Sequence, residues 1–301
     1  TPSDKKGKGK KVKPDHFVGD FYVMFEKKKN KKLELEAQEL LKKWESGDRK
    51  TLLLWKLMNT WTLDGFAETY KRFGIKHDKT YFESQIYKRG KEIVLDGLKH
   101  RIFSQEKNGE VKINLEKEGL GEKILLRSDG TAIYIVQDLA LAKEKFEDYK
   151  IDRSLYVVGS EQEYHFKVLF TILKKLGLKN KEMAHISYGL VNLPHGRMKS
   201  RDGTVVDADN LIEQVRILAE KEVKKRAEKV SKKELEKRSL TVALAAIKYM
   251  LLKVDLRKDM LFNPKESVSF EGDTGPYILY SYARASSIIR KSSSSLGKFS
   301  V

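Results

Sequence analysis

The chain has 301 residues, with 61 Lys or Arg against 43 Asp or Glu and a net charge of +18. The length suits about two domains, and the basic excess favours a polyanionic partner, nucleic acid ahead of membrane, although lysines spread this evenly also suit solvated faces. The lack of cysteine excludes disulfides, thiolate-bound metals and a cysteine nucleophile, and six scattered histidines give no zinc-type spacing, so no metal site is expected.

In chain order, residues 1–13 form a basic, glycine-containing arm. Residues 14–26 are aromatic and apolar and predict an ordered segment packed on something. Residues 31–47 predict a charged helix ending at Gly47, and residues 49–74 a second helix. Leu54, Trp55, Met58, Trp61, Phe66, Tyr70 and Phe73 recur there at helical intervals, the usual mark of a core face. Residues 79–86 read as a strand and 88–101 as a helix. Val111, Ile113 and Leu115 alternate as a half-buried strand does. Residues 123–126 read as a further strand, 155–158 as a short buried strand, 162–176 as a helix and 185–191 as another strand. Strands and helices alternating across 123–192 predict a parallel α/β sheet, whose ligands bind beyond the carboxyl ends of the strands. Residues 210–254 predict a charged helix followed by an apolar one. The longest apolar stretch, 239–254, contains Lys248 and reads as a buried helix rather than a membrane span. Gly275 and Pro276 start a final helix with Tyr277, Tyr280, Arg284 and Ile288 near one face. No signal-peptide pattern opens the chain, and a cytosolic location is expected.

Three constellations carry chemistry. In the first, the turn Arg127-Ser128-Asp129-Gly130-Thr131 leads into a helix with Tyr134 and Asp138 four residues apart, hence on one face. A phenol and a carboxylate so placed suit a pocket for a cationic group. Taken alone, the plainer reading is an N-capped surface helix with a half-buried tyrosine. In the second, strand residues 156–158 run into Gly159-Ser160-Glu161-Gln162 and a helix start, where free N–H groups and the helix dipole favour an anion. Gln162 and His165 lie one turn apart there, and His165 also reads as an ordinary satisfied helix histidine. In the third, Arg197, Lys199 and Arg201 alternate in a loop flanked by Gly196 and Gly203. In an extended loop they project to one side, as suits a polyphosphate during phosphoryl or adenylyl transfer, and a solvated surface loop is the plainer alternative.

Taken together, these stretches resemble the arginyl-tRNA synthetases, a class I aminoacyl-tRNA synthetase family. The resemblance runs from about residue 13 to 291. It rests on Lys13-Pro14-Asp15-His16-Phe17-Val18-Gly19 with Phe21-Tyr22-Val23, Leu63-Asp64-Gly65-Phe66 with Thr69-Tyr70, and Leu125-Leu126-Arg127-Ser128-Asp129-Gly130-Thr131. It continues through Tyr156-Val157-Val158-Gly159-Ser160-Glu161-Gln162 with His165-Phe166, Tyr188-Gly189-Leu190-Val191-Asn192-Leu193-Pro194, Thr274-Gly275-Pro276-Tyr277 and Tyr282-Ala283-Arg284. The glycines and the Asp-Gly-Thr turn look like the archaeal-type branch.

The resemblance implies an α/β fold: the second half of a class I synthetase Rossmann-like nucleotide-binding fold with an inserted α/β region, followed by an α-helical stem-contact region. The implied division is a basic arm at 1–13, a connective insertion at 14–122, the Rossmann-like half with its ATP loop at 123–209, the stem-contact helices at 210–273 and the start of an anticodon-binding helical domain at 274–301. It implies an arginine–tRNA ligase that forms arginyl-adenylate from ATP with Mg²⁺, generally with tRNA already bound, and passes the arginyl group to the terminal adenosine of tRNA(Arg). Tyr134, Asp138 and Gln162 would bind L-arginine. His165, Gly189 and Val191 would lie at the adenosine edge. Arg197, Lys199 and Arg201, with Met198 and Ser200, would form the phosphate-gripping loop. Tyr277 and Arg284 would face tRNA. A monomer without membrane attachment is expected.

Two departures qualify this. The loop reads Arg-Met-Lys-Ser-Arg where the family has Lys-Met-Ser-Lys-Ser, so the family's second lysine falls on Ser200 and leaves open which cation reaches the phosphates. Leu279, Ser281 and Tyr282 stand where Gln, Ala and His are usual. The class I His-x-Gly-His signature is absent from the sequence. The chain is therefore expected to be an incomplete part of a synthetase, weak or inactive alone, with exposed apolar sheet edges. The alternative is a non-catalytic, synthetase-like tRNA-binding module.

Overall fold

The computed structural model describes residues 12–192, 207–226 and 230–292. These fall into two compact units: one takes the described residues up to 76, 192–254 and 261 onward, and the other takes 77–191 and 255–260.

The first unit opens with α1 (Pro14–Lys28), α2 (Lys31–Glu45) and α3 (Arg49–Phe73). Pro14 supplies a preset φ at the head of α1. The Asn30 side chain accepts from the Lys32 and Leu33 amides to cap α2, and Asp48 accepts from the Thr51 amide to cap α3. Gly74, left-handed at φ 70°, ends α3. Phe17 of α1 meets Trp61 edge-on at 5.7 Å, and the Asp15 carboxylate sits so tightly on Gly65 that a Cβ there would collide with it. The expected core face of α3 is not a core. Leu54, Trp55, Met58, Phe66 and Tyr70 are exposed, and only Gly65 is fully buried. The apolar period is real, but apolar residues surround more of α3 than its neighbours cover.

The second unit has α4 (Glu83–Lys99), β1 (Ser104–Gln105), β2 (Val111–Leu115), β3 (Gly121–Leu126), α5 (Tyr134–Tyr149), β4 (Arg153–Gly159), α6 (Glu163–Lys175) and β5 (Glu182–Tyr188). The strand expected over 79–86 is absent, and α4 begins at Glu83. Ile86, Gly90, Ile93, Val94 and Gly97 recur at helical spacing and are all buried. At Gly90 a Cβ would lie 2.8 Å from the Val136 carbonyl oxygen, so the missing side chain is what lets α4 lie close on α5.

β1, β2 and β3 form one antiparallel sheet, with Lys112 opposite Ile124 and Leu115 opposite Gly121. The expectation that β3 starts the parallel sheet is therefore corrected. The link from β2 to β3 is a short turn through Gly119, too short for the crossover a parallel pair needs. The longer parallel pair is β4 with β5, in register from Arg153 opposite Glu182 to Gly159 opposite Tyr188, with α6 as the crossover. Val94, Val111, Ile113, Leu115, Leu125, Val136, Leu139, Leu169 and Ile172 meet in one buried core. β4 is half-buried rather than buried as expected. Tyr156 and Val158 pack on the core while Leu155 and Val157 are exposed. Strand side chains alternate between faces, and α6 covers one of them.

The remaining elements are β6 (Val191–Asn192), α7 (Ala208–Arg226), α8 (Lys232–Leu252), β7 (Met260–Leu261), α9 (Pro264–Ser267) and α10 (Gly275–Lys291). α7 buries Ile212, Val215, Ala219 and Val223, and α8 buries Val242, Ala243, Ala246, Ile247 and Met250, one stripe at helical spacing on each. Thr274 caps α10 by accepting from the Tyr277 amide at 3.2 Å. Gly275 lies against the Ala245 carbonyl of α8, where no Cβ would fit. Among the described residues no helix is long and apolar enough to cross a membrane.

Candidate functional site

The turn before α5 is self-contained. The Gly130 amide donates to the Arg127 carbonyl at 2.8 Å with Gly130 at φ 77°, and Asp129 Oδ1 accepts from the amide and hydroxyl of Thr131 at 2.9 and 2.7 Å. The Thr131 hydroxyl, with its amide, holds the Asp129 carboxyl below its usual value. This turn does not cap the helix as expected. Ile133 stands at the N-cap with no side-chain hydrogen bond, and Tyr134 is the first residue of α5. Tyr134 is 80% exposed. Asp138 follows one turn later on the same side of α5.

Asp138 meets a partner from α6: His165 Nε2 lies 2.7 Å from Asp138 Oδ2. The two side chains are 38% and 28% exposed, so the pair lies open to a ligand. Gln162 ends the turn between β4 and α6 and is exposed. Beneath the pair lies an aromatic floor: His165 is edge-on to Phe166 at 5.5 Å, and Phe166 contacts Tyr156 at 5.2 Å and the His185 ring at 4.5 Å. The Lys145 ammonium sits 3.9 Å from the Tyr156 ring centroid. Burial pushes Lys145 below the usual lysine value, against the opposing pull of Asp138. Burial raises the Tyr156 phenol; its hydroxyl makes no well-aligned hydrogen bond, although the Ser154 side chain is near enough to pull the other way.

The structure thus brings Asp138 and His165 into direct contact, with Tyr134 and Gln162 each one turn from a member of the pair. The resemblance placed His165 at the adenosine edge. At the end of β5 the Gly189 amide donates to the Leu256 carbonyl at 2.8 Å, and the Leu190 amide to Asp259 Oδ1 at 2.7 Å. A Cβ on Gly189 would collide with the Lys258 carbonyl. Val191 begins β6 and is half-buried. Tyr277 and Arg284 belong to the first unit and are both exposed on α10, and the Arg284 guanidinium donates to the Tyr280 hydroxyl at 3.1 Å. Arg197, Met198, Lys199, Ser200 and Arg201 lie outside the described residues.

Sequence reasoning missed a second polar cluster, in the first unit. Asp209, 12% exposed at the start of α7, accepts from Lys13 at 2.6 Å, Thr69 at 2.8 Å and Arg72 at 2.7 Å. Lys13 also reaches Asp15 at 3.0 Å, and His16 Nε2 lies 3.6 Å from Asp209 Oδ2. Lys13 and Asp209 are 196 residues apart, so no local pattern announces the cluster. Burial opposes the charge on Asp209, but the bonds from Lys13 and Thr69 hold its carboxyl below the usual value. Burial likewise opposes the charge on Lys13, and Asp209 and Asp15 raise it above the lysine value. Ligand-capable atoms of Asp15, His16 and Asp209 come within 4.8 Å of one another. The Lys13 ammonium already fills that space, so the group does not suit a metal ion.

The model of the family described as "tRNA synthetases class I (R), catalytic domain" matches residues 5–263. An arginine–tRNA ligase of Treponema denticola is 48% identical over 292 residues, covering 95% of this chain and 50% of the relative. One from Parabacteroides distasonis is 46% identical over 302 residues, covering 93% and 50%. The chain spans about half the length of the curated relatives it matches. Among solved structures, Thermus thermophilus arginyl-tRNA synthetase aligns with a TM-score of 0.78 at 24% identity, over 99% of this chain and 54% of that one. The Plasmodium falciparum enzyme aligns with a TM-score of 0.73 at 22% identity, over 94% and 51%.

Proposed function

The chain belongs to the class I tRNA synthetases specific for arginine, and on that premise we propose that it carries the arginine pocket and ATP loop of an arginine–tRNA ligase. The reaction joins the arginine carboxylate to the α-phosphorus of ATP with release of pyrophosphate. The arginyl group then passes to a hydroxyl of the 3′-terminal adenosine of tRNA(Arg). The observation that carries this reading is the part-exposed Asp138 carboxylate, which among the described residues is met by one neighbour, His165.

In this reading Asp138 pairs with the substrate guanidinium, whose planar fork fits a carboxylate as a lysine ammonium does not. Tyr134 and Gln162 flank it. Gly189 and Val191 line the adenosine edge. His165 was the third candidate for that edge, but its contact with Asp138 favours counting it with the arginine pocket. The cations Arg197, Lys199 and Arg201, with Met198 and Ser200 between them, grip the phosphates and stabilise charge as pyrophosphate leaves. Mg²⁺ accompanies ATP; no described residue is assigned to it, since the Asp15–His16–Asp209 group is filled by Lys13. On the tRNA side we assign the helices of 210–273 to the acceptor stem, residues 274–301 to the start of the anticodon-binding domain, and Tyr277 and Arg284 to RNA contact. Residues 14–122 form the connective insertion and 123–209 the catalytic half. The protein acts as a cytoplasmic monomer.

The net charge of +18 also favours a second reading, a tRNA-binding module without catalysis. The two separate on Asp138→Ala in the native gene product. The ligase reading expects the arginine KM to rise about 100-fold, the upper range for a lost hydrogen-bonded charge pair, with tRNA affinity retained. A gene product that binds tRNA(Arg) but neither binds arginine nor charges the tRNA would replace the ligase reading with the module.

A further inference from the structure

The contact between Asp138 and His165 bears on how arginine is chosen. Asp138 projects from α5 and His165 from α6, and both helices are anchored in one core through Leu139 and Ala142 on one side and Phe166 and Leu169 on the other. The His165 ring is held edge-on to Phe166 at 83°. A carboxylate only accepts, so Nε2 carries the proton in this contact. Among the described residues Oδ1 of Asp138 accepts no hydrogen bond, and Lys145, two turns along α5, turns its ammonium onto Tyr156 rather than pairing with Asp138. The carboxylate is therefore oriented from one side and left charged on the other.

We propose that His165 is a positioning residue for arginine recognition. By donating from Nε2 to Oδ2 it fixes the plane of the Asp138 carboxylate, so that the free edge meets a forked guanidinium in register. This rests on the reading of Asp138 as the guanidinium acceptor. Without the histidine the carboxylate can rotate about its own side chain, and the second of two parallel hydrogen bonds is lost first. His165 thus serves the amino-acid side of the site through Asp138, and does not read adenosine.

The test is steady-state charging of tRNA(Arg) by the native gene product, with the arginine and ATP KM values measured separately for His165→Ala, His165→Gln, Asp138→Ala and the His165→Ala/Asp138→Ala double variant. Loss of the oriented bond should raise the arginine KM about tenfold in His165→Ala, the scale of one hydrogen bond to a charged group, with the ATP KM within about twofold of wild type. The Gln side-chain amide puts a donor near the place of Nε2, so His165→Gln should recover most of the loss. In the Asp138→Ala background His165→Ala should add nothing. A raised ATP KM with an unchanged arginine KM, or additive effects in the double variant, overturns the positioning role while leaving Asp138 as the acceptor. An unchanged arginine KM in Asp138→Ala overturns the underlying reading itself.

Discussion

Asp209 in the first unit and Asp138 in the second are each met by a basic side chain from a distant stretch of chain, yet their surroundings differ. Asp209 is 12% exposed and takes three donors, from Lys13, Thr69 and Arg72. Asp138 is 38% exposed and, among the described residues, takes one, from His165. A saturated, enclosed carboxylate has no capacity left for a ligand, and its value lies in joining α1, α3 and α7. A carboxylate fixed by one bond and open to solvent holds its charge ready for a cation. Counting donors and exposure around each carboxylate separates the enclosed cluster from the proposed binding site, although both would read alike as acidic residues near helix starts.

The largest expected effect on stability tests that contrast directly. Asp209→Ala leaves Lys13 and Arg72 without their shared partner and should lower the unfolding free energy by about 3 kcal/mol, the scale of breaking a buried pair from one side. Asp138→Ala, at a half-open site, should shift it by less than about 1 kcal/mol. Urea unfolding of the two variants side by side measures both, and equal losses would erase the distinction. Next in size, Gly65→Ala drives a methyl group into the buried Asp15 carboxylate and should cost about 1–3 kcal/mol by the same assay, as overpacking does. A neutral outcome would mean that the contact of α1 with α3 is loose.

The pH dependence sharpens the comparison further. Asp209 has a lowered pKa, so its contribution is present above the unfolded carboxylate value of about 4 and is lost as pH falls through the lower folded value. Lys13 has a raised pKa, so its contribution is full below the unfolded lysine value of about 10.4 and is lost as pH rises through the higher folded one. The cluster should hold its stabilisation across neutral pH and release it at the acid end. The wild type minus Asp209→Asn difference in unfolding free energy should therefore be flat from pH 5 to 8 and shrink below about pH 4. A difference that grows on acidification would reverse the sign of the Asp209 shift. The smallest effect is expected on the open face of β4, where Val157→Thr should change stability by less than about 0.5 kcal/mol, as surface substitutions do.

Local pattern carried much of the fold. The alternation of Val111, Ile113 and Leu115, the glycine after Phe73 and the Gly275-Pro276 helix start all sit in the structure as their spacing predicts. Pairing and coverage were harder to read, because they depend on residues elsewhere in the chain. β3 looked like the head of a parallel sheet until its short link to β2 fixed an antiparallel partner. The apolar face of α3 and the outer face of β4 have the right periods, but period reports which side a residue is on and not whether anything covers it. At the candidate site, Tyr134, Asp138, Gln162 and His165 were all legible as motif residues. The bond between Asp138 and His165 spans 27 residues and joins two helices, so it was visible only in three dimensions. Lys13, Asp15, His16 and Thr69 stood in motif stretches, but nothing in the sequence paired them with Asp209, 196 residues beyond Lys13.

The most direct test of the account compares L-arginine with L-citrulline, which keeps the shape of the side chain and loses its charge, in equilibrium binding to the native gene product and its Asp138→Ala variant. If Asp138 is the acceptor for the guanidinium, the wild type should prefer arginine by about 100-fold and the variant should lose nearly all of that preference. A preference that survives intact in Asp138→Ala would contradict the account and place the guanidinium elsewhere.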